Sequence, residues 1–166
     1  MGKNGERASC HWKERSMIKA FFDGCCEPKN PGGVAAYGAV ILRDGQKIWE
    51  DSRVFYPKGG HEMETSNNVA EYSGFKAILD HLLAGGLHLE PIEVFGDSNL
   101  VIQQMFGRWK IRGGFYVPVA LACKKLLEKF PRTRGHWIPR EQNSIADELS
   151  KAQLIKAGVK FKIQPL

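Results

Sequence analysis

Four carboxylates, Asp23, Glu71, Asp97 and Asp147, stand where the sequence pattern changes from one element to the next. Asp23 follows the apolar run Met17–Phe22 and precedes Gly24, so a second backbone or a ligand can come close to it. Asp97 closes the short apolar stretch Pro91–Gly96, whereas Glu71 and Asp147 fall near the starts of two segments with helical spacing. Acids gathered at one edge repel one another unless cations hold them. Hard oxygen donors with room left for water suit Mg²⁺ or Mn²⁺, and two such ions ~3.5–4 Å apart form a clamp for in-line phosphoryl displacement. A pair of carboxylates could instead serve glycoside hydrolysis, which has no use for a basic surface. An aspartate at a helix start also has a plainer use as a cap, so neither Asp97 nor Asp147 defines a site alone.

The elements that would position these groups can be read from the spacing. Met17–Gly24 reads as a strand, and Val34–Arg43 and Gln46–Tyr56 as two more, joined at Asp44-Gly45, a strong hairpin signal. After a loop from Pro57 to Glu64, the caps Thr65-Ser66-Asn67-Asn68 open a helix that Gly85-Gly86 stops, with Glu71 in its first turn. Pro91–Gly96 is a strand, and Asp97-Ser98 caps a helix running to Gly107. Val117–Lys129 is amphipathic, Arg132–Ile138 is a last strand, and Asn143 or Ser144 caps a helix through Ala157, with Asp147 near its start. Three antiparallel strands followed by strand–helix–strand succession imply an α/β fold with a five-stranded mixed sheet and helices on its faces. If the strands ending at Asp23 and Asp97 are neighbours, both acids emerge at the edge where open α/β sheets bind ligands.

Composition narrows the classes. At 166 residues and 43% apolar the chain suits one domain rather than two. Its parts are read as a disordered basic tail over 1–16, a catalytic domain over 17–157 and a C-terminal tail over 158–166. The longest uncharged apolar run, about Val34–Leu42, is far short of the ~20 residues of a membrane span. The polar N-terminus has no secretory character. The expectation is a cytoplasmic monomer without membrane contact. Cys10, Cys25, Cys26 and Cys123 lack Cys-x-x-Cys spacing and read as free thiols.

The net charge of +6 is concentrated between Gly107 and Arg134, where eight cations, among them Arg108, Lys110 and Arg112, face the single acid Glu128. With Trp109, Phe115 and Tyr116 interleaved, the stretch has the composition of a surface that meets a phosphate backbone, although a solvated helix face would look similar. Phosphate-loop, dinucleotide-fold and His-Glu-x-x-His motifs are absent from the sequence.

Phe22-Asp23-Gly24 with Asn30-Pro31-Gly32-Gly33 and Tyr37-Gly38, then Thr65-Ser66-Asn67-Asn68-Val69-Ala70-Glu71, Gly96-Asp97-Ser98-Asn99, and Asn143 with Ala146-Asp147-Glu148-Leu149, resembles type 1 ribonuclease H from about Met17 to Ala157. The resemblance implies the ribonuclease H-like fold and a metal-dependent endonuclease that cuts the RNA strand of an RNA–DNA hybrid, leaving a 5′-phosphate and a 3′-hydroxyl. It implies that Asp23 bridges two Mg²⁺ ions, that Asp147 holds the one activating water, and that Glu71 and Asp97 hold the one at the leaving group. The resemblance implies Mn²⁺ as a substitute for Mg²⁺. Asn30, Ser66, Asn67, Asn68 and Asn99 fall where the family touches the hybrid, with side chains suited to a ribose 2′-hydroxyl; capping is the competing role of Ser66 and Asn67. A hybrid-binding module of the same fold without catalysis is the alternative.

The sequence departs from the family in two places. The basic helix-plus-loop of many bacterial members is missing, since Gly107–Gly114 is compact. The family's mobile histidine before the last carboxylate has no clear counterpart: His136 is displaced by one position, and Arg140 stands where Pro-Arg-Glu relatives carry arginine. Arg140 is the preferred candidate for proton transfer and product release, His136 the other.

Overall fold

A computed structural model of the chain describes residues 16–61 and 64–162. The expected tail over 1–16, apart from Ser16, and residues 163–166 of the expected C-terminal tail lie outside the described residues, as does Cys10. The sheet contains β1 (Ile18–Glu27), β2 (Val34–Arg43), β3 (Gln46–Phe55), β4 (Ile92–Gly96) and β5 (Thr133–Trp137), in the order β3-β2-β1-β4-β5. The first three strands pair antiparallel, and β4 and β5 add parallel on the other side of β1. Asp44 and Gly45 carry the β2–β3 turn at φ 51° and 80°, the left-handed conformation this tight hairpin needs.

The helices are α1 (Asn67–Ala84), α2 (Asn99–Phe106), α3 (Val117–Leu127) and α4 (Ser144–Lys156), with a short 3₁₀ turn at Arg140–Gln142 before α4. The loop between α2 and α3 contains no further helix, which agrees with the compact form read from the sequence. Alternation along the strands sorts the side chains. Ile18, Ala20 and Phe22 of β1 and Tyr37, Ala39 and Ile41 of β2 enter the core with Tyr72, Phe75, Ile78, Leu79 and Leu82 of α1, to which α2 and α3 add Val101, Ile102, Ala120 and Cys123. Asp23 belongs to the opposite face, which α4 covers over β1 to β3.

Two expectations are corrected. β1 does not end at Gly24: its ladder with β2 continues from Gly24↔Tyr37 to Glu27↔Val34, with Cys25 half-buried and Cys26 buried in the extended pairing. What ends near Asp23 is the parallel ladder with β4, whose last pair is Phe22↔Gly96. Glu71 is not in the first turn of its helix; Ser66 is the N-cap, accepting from Val69 N at 3.1 Å, which puts Glu71 one turn further in.

Candidate active site

Asp23 sits one residue beyond the last β1–β4 pair and Asp97 one residue beyond β4, so both emerge at the C-terminal end of the parallel strands, beside the place where strand order switches direction. Two glycines bring the other acids to them. A Cβ at Gly24 would stand 2.5 Å from Glu71 N, and a Cβ at Gly38, paired with Asp23 across the ladder, would stand 2.3 Å from Ala146 O. The bare backbone at these positions therefore lets α1 close on one face of the sheet and α4 on the other.

One carboxylate oxygen each from Asp23, Glu71 and Asp97 lies within 4.8 Å of the other two. Asp147 lies near enough for its charge to act on Asp23, and Ser150, three residues after Asp147 on α4, approaches Asp23 Oδ2 at 3.5 Å. Asp23 is only 4% exposed, and burial followed by the charges of Asp97, Glu71 and Asp147 pushes its carboxyl up to about 9. Burial also pushes Glu71 up to about 8, against a hydrogen bond from Ser98 and with help from the Asp97 charge. Asp147 differs. Its burial is outweighed by hydrogen bonds from Lys151 and Asp23 and by the charges of Lys151 and Arg140, so its carboxyl is held below the usual range. Lys151 Nζ lies 2.6 Å from its Oδ2, and Arg140 Nη2 lies 3.4 Å from its Oδ1.

No ion pair within the described residues neutralises Asp23, Glu71 or Asp97; the nearby side-chain cations are spent on Asp147. An all-oxygen donor set with no cation paired to it fits a hard divalent cation.

The remaining candidates fall into two groups. Asn30, Ser66 and Asn67 come together where the β1–β2 loop meets the start of α1: Asn67 N donates to Asn30 Oδ1 at 3.0 Å, and Gly32 N donates to Thr65 O at 2.9 Å. Asn68 follows in the first turn of α1, and Asn99 is exposed as the first residue of α2. Arg108, Lys110 and Arg112 are exposed on the α2–α3 loop, around a cleft of about 490 Å³ completed by Leu100, Gln104, Trp109 and Tyr116. The loop is pinned from inside. Gln104 Nε2 donates to Lys110 O at 3.1 Å and to Tyr116 Oη at 3.2 Å, and Tyr72, the neighbour of Glu71, donates to Gln104 Oε1.

His136 is not brought to the carboxylates. It lies within β5, opposite Phe95, with its ring stacked on that phenylalanine at 5.1 Å and its Nε2 3.4 Å from Glu93. Strand pairing holds it there, two residues short of the level of Asp97, whereas Arg140 on the following turn reaches Asp147.

Sequence reasoning passed over two supporting residues, Ser150 and Lys151, and gave a third, Asn143, no contact with the carboxylates. Ser150, fully buried, donates to Asp147 O at 2.9 Å and approaches Asp23 Oδ2 at 3.5 Å; Lys151 holds Asp147 as described. Their spacing of three and four from Asp147 on a helix is the signal that points to both. Asn143, 1% exposed, reads from sequence as a helix cap and as part of the last motif, yet its side chain makes no capping bond and instead donates to Phe22 O at 2.8 Å and to Asp97 Oδ1 at 3.5 Å.

The sequence profile of a family described as "Reverse transcriptase-like" matches residues 21–153, a span that holds all four carboxylates. The chain belongs to that family. Within it, the chain is 34% identical over 122 residues to the "Bifunctional protein Rv2228c" of Mycobacterium tuberculosis, covering 73% of this chain and 31% of that protein. It is 30% identical over 138 residues to "Ribonuclease HI" of Halobacterium salinarum, covering 82% of this chain and 64% of the relative. The chain thus spans about a third of the mycobacterial relative's length. The solved N-terminal RNase H domain of the mycobacterial protein superposes with a TM-score of 0.73 at 31% identity, over 86% of this chain and 96% of that one. LC11-RNase H1, solved in complex with an RNA/DNA hybrid, gives 0.72 at 30% identity over 84% and 98%. The type 1 ribonuclease H resemblance carried by the motifs is borne out, and with it the ribonuclease H fold.

Proposed function

We propose that the chain is a metal-dependent endoribonuclease that hydrolyses the RNA strand of RNA–DNA hybrids to 5′-phosphate and 3′-hydroxyl ends. One observation carries this reading: Asp23 is gathered with Glu71 and Asp97 in one cluster, and Ser150, which donates to Asp147 O, approaches Asp23 Oδ2 at 3.5 Å, so the helix that carries Asp147 is seated on the same carboxylate. That is the arrangement two divalent ions need if one carboxylate is to bridge them. Asp23 and Asp147 would hold the ion on the side of the attacking water, and Asp23, Glu71 and Asp97 the ion on the leaving-group side. Two Mg²⁺ ions, or Mn²⁺ in their place, supply Lewis-acid polarisation of the phosphoryl group and a water acidified enough to attack it.

The chain's own groups orient the substrate. Asn30, Ser66, Asn67 and Asn68 at the start of α1, with Asn99 exposed at the start of α2, offer amides and a hydroxyl that can pair with a 2′-hydroxyl, a group DNA lacks. Arg108, Lys110 and Arg112 face outward from a loop held rigid by Gln104, and would track a phosphate backbone. Arg140 keeps its proton under all working conditions, so its part is attraction of the product 5′-phosphate away from Asp147 rather than proton transfer. One copy of the chain carries every carboxylate of the site, so a monomer suffices.

The test is a cleavage assay with end-labelled RNA–DNA hybrid and duplex DNA, in Mg²⁺ and in chelator. Internal cuts in the hybrid's RNA strand that require Mg²⁺, with duplex DNA intact, are expected. Tight hybrid binding without Mg²⁺-dependent cutting would show a recognition module instead.

A further inference from the structure

Asn143 touches each of the segments that carry Asp23, Asp97 and Asp147. Its Nδ2 donates to the carbonyl of Phe22, the residue before Asp23, at the point where the parallel ladder stops, and also reaches Asp97 Oδ1. Its own carbonyl accepts from Asp147 N at 3.1 Å, the first-turn bond that sets the Asp147 backbone. Its Oδ1 is buried and has no hydrogen-bond partner within the described residues. A buried amide whose donor is spent on two acidic segments, with its acceptor left unpaired at a carboxylate cluster, is unusual, because such oxygens are almost always satisfied.

We infer that Asn143 is a positioning residue for the metal centre: it fixes Asp97 against the Asp23 strand, and its Oδ1 would accept a hydrogen bond from the hydration water of a cation held there. This inference rests on the two-metal reading above. A mere helix cap would not need the side chain turned away from the α4 backbone, and a mere strand tie would not need Oδ1 buried at the acids. With Asn143 replaced by a smaller residue, Phe22 O loses its donor and Asp97 becomes free to turn, so the cation meets a looser set of ligands.

The experiment is isothermal titration of Mg²⁺ into the full chain without substrate, for wild type, Asn143→Ala and Asn143→Ser, with kcat and KM measured separately. The expected result is Mg²⁺ affinity weaker by about tenfold or more in both variants, and kcat lower by a similar or larger factor with KM changed by less than about threefold. In the wild type, the side-chain amide signals of Asn143 in an ¹⁵N spectrum should shift along the Mg²⁺ titration, with the dissociation constant found by calorimetry. That readout needs no variant to fold. Unmoved amide signals, or variants that melt earlier yet bind Mg²⁺ as wild type does, would overturn the inference and leave Asn143 a structural tie. If wild type itself binds no Mg²⁺, it is the two-metal reading that fails.

Discussion

Gly38 stands directly across the β1–β2 ladder from Asp23, and the missing side chain at Gly38 is what seats α4 over Asp23. A methyl group there would meet Ala146 O at 2.3 Å, Leu149 Cβ at 2.7 Å and Ser150 N at 2.9 Å, contacts dominated by backbone that cannot swing aside. Gly38→Ala should therefore push out the start of α4, costing ~1–3 kcal/mol of stability as overpacking does. It should also lower hybrid cleavage by more than the loss of folded protein explains, since Asp147 and Ser150 ride on that helix. Chemical denaturation and specific activity corrected for folded fraction check this. A variant as stable and active as wild type would show that α4 does not depend on that gap.

Burial of the acids, added to by their mutual repulsion, makes the metal-free protein sensitive to alkali. Asp23 is pushed up from 3.8 to about 9 and Glu71 from 4.5 to about 8, so between those limits the folded chain holds protons that the unfolded chain has released. Stability contributed by these groups is then full below about pH 4 and declines as pH rises to about 9, by up to ~1.4 kcal/mol per pH unit for each group. Asp147 works in the opposite sense, but its lowered carboxyl titrates below the range tested. Thermal unfolding in chelator from pH 5 to pH 9 should show a falling midpoint, and saturating Mg²⁺ should offset the fall by taking the place of the protons. A midpoint in chelator that is flat or rises over this range would contradict the uncompensated cluster.

Much of this arrangement is legible in the sequence, and the gaps have physical causes. The Asp44-Gly45 hairpin and the bounds of β2 and β3 follow from turn chemistry and alternation, which are local. The strand read over Met17–Gly24 stops short of Glu27 because a glycine after the apolar run breaks the local pattern; its pairing with Tyr37 and the approach of Glu71 show why glycine is needed inside a strand. Asn143 reads as a cap because its bond to Phe22 spans 121 positions, a distance that no local rule covers. His136 and Arg140 remain open from sequence alone, since strand register decides which of them reaches Asp147.

The exposed cations of the α2–α3 loop should govern salt dependence. Each phosphate neutralised on a duplex steepens the slope of log affinity against log salt by about 0.9. Replacing Arg108, Lys110 and Arg112 together with Ala should flatten the slope by about 1–3 while leaving stability near wild type, since none of these side chains is ion-paired within the described residues. An unchanged slope would place the hybrid elsewhere.

Recognition of the RNA strand should depend on Asn68 and Asn99. Asn68→Ala and Asn99→Ala should each lower kcat/KM on hybrid by roughly tenfold, as expected for losing a hydrogen bond worth ~1–1.5 kcal/mol. Wild-type rates at subsaturating hybrid in both variants would remove these residues from 2′-hydroxyl recognition.

The central claim, that the acidic cluster is a metal-binding catalytic centre and not a set of caps, is tested most directly by Asp97→Asn in a paired measurement. The amide keeps the shape, and Ser98 rather than Asp97 provides the α2 cap, accepting from Val101 N at 3.3 Å. Cleavage of hybrid in Mg²⁺ should fall by several powers of ten, each decade being ~1.4 kcal/mol of lost transition-state stabilisation, while hybrid binding persists. Metal-free thermal stability should stay level or rise, because one charge that pushes up Asp23 and Glu71 is gone. Retained cleavage, or a large fall in metal-free stability, would contradict the account.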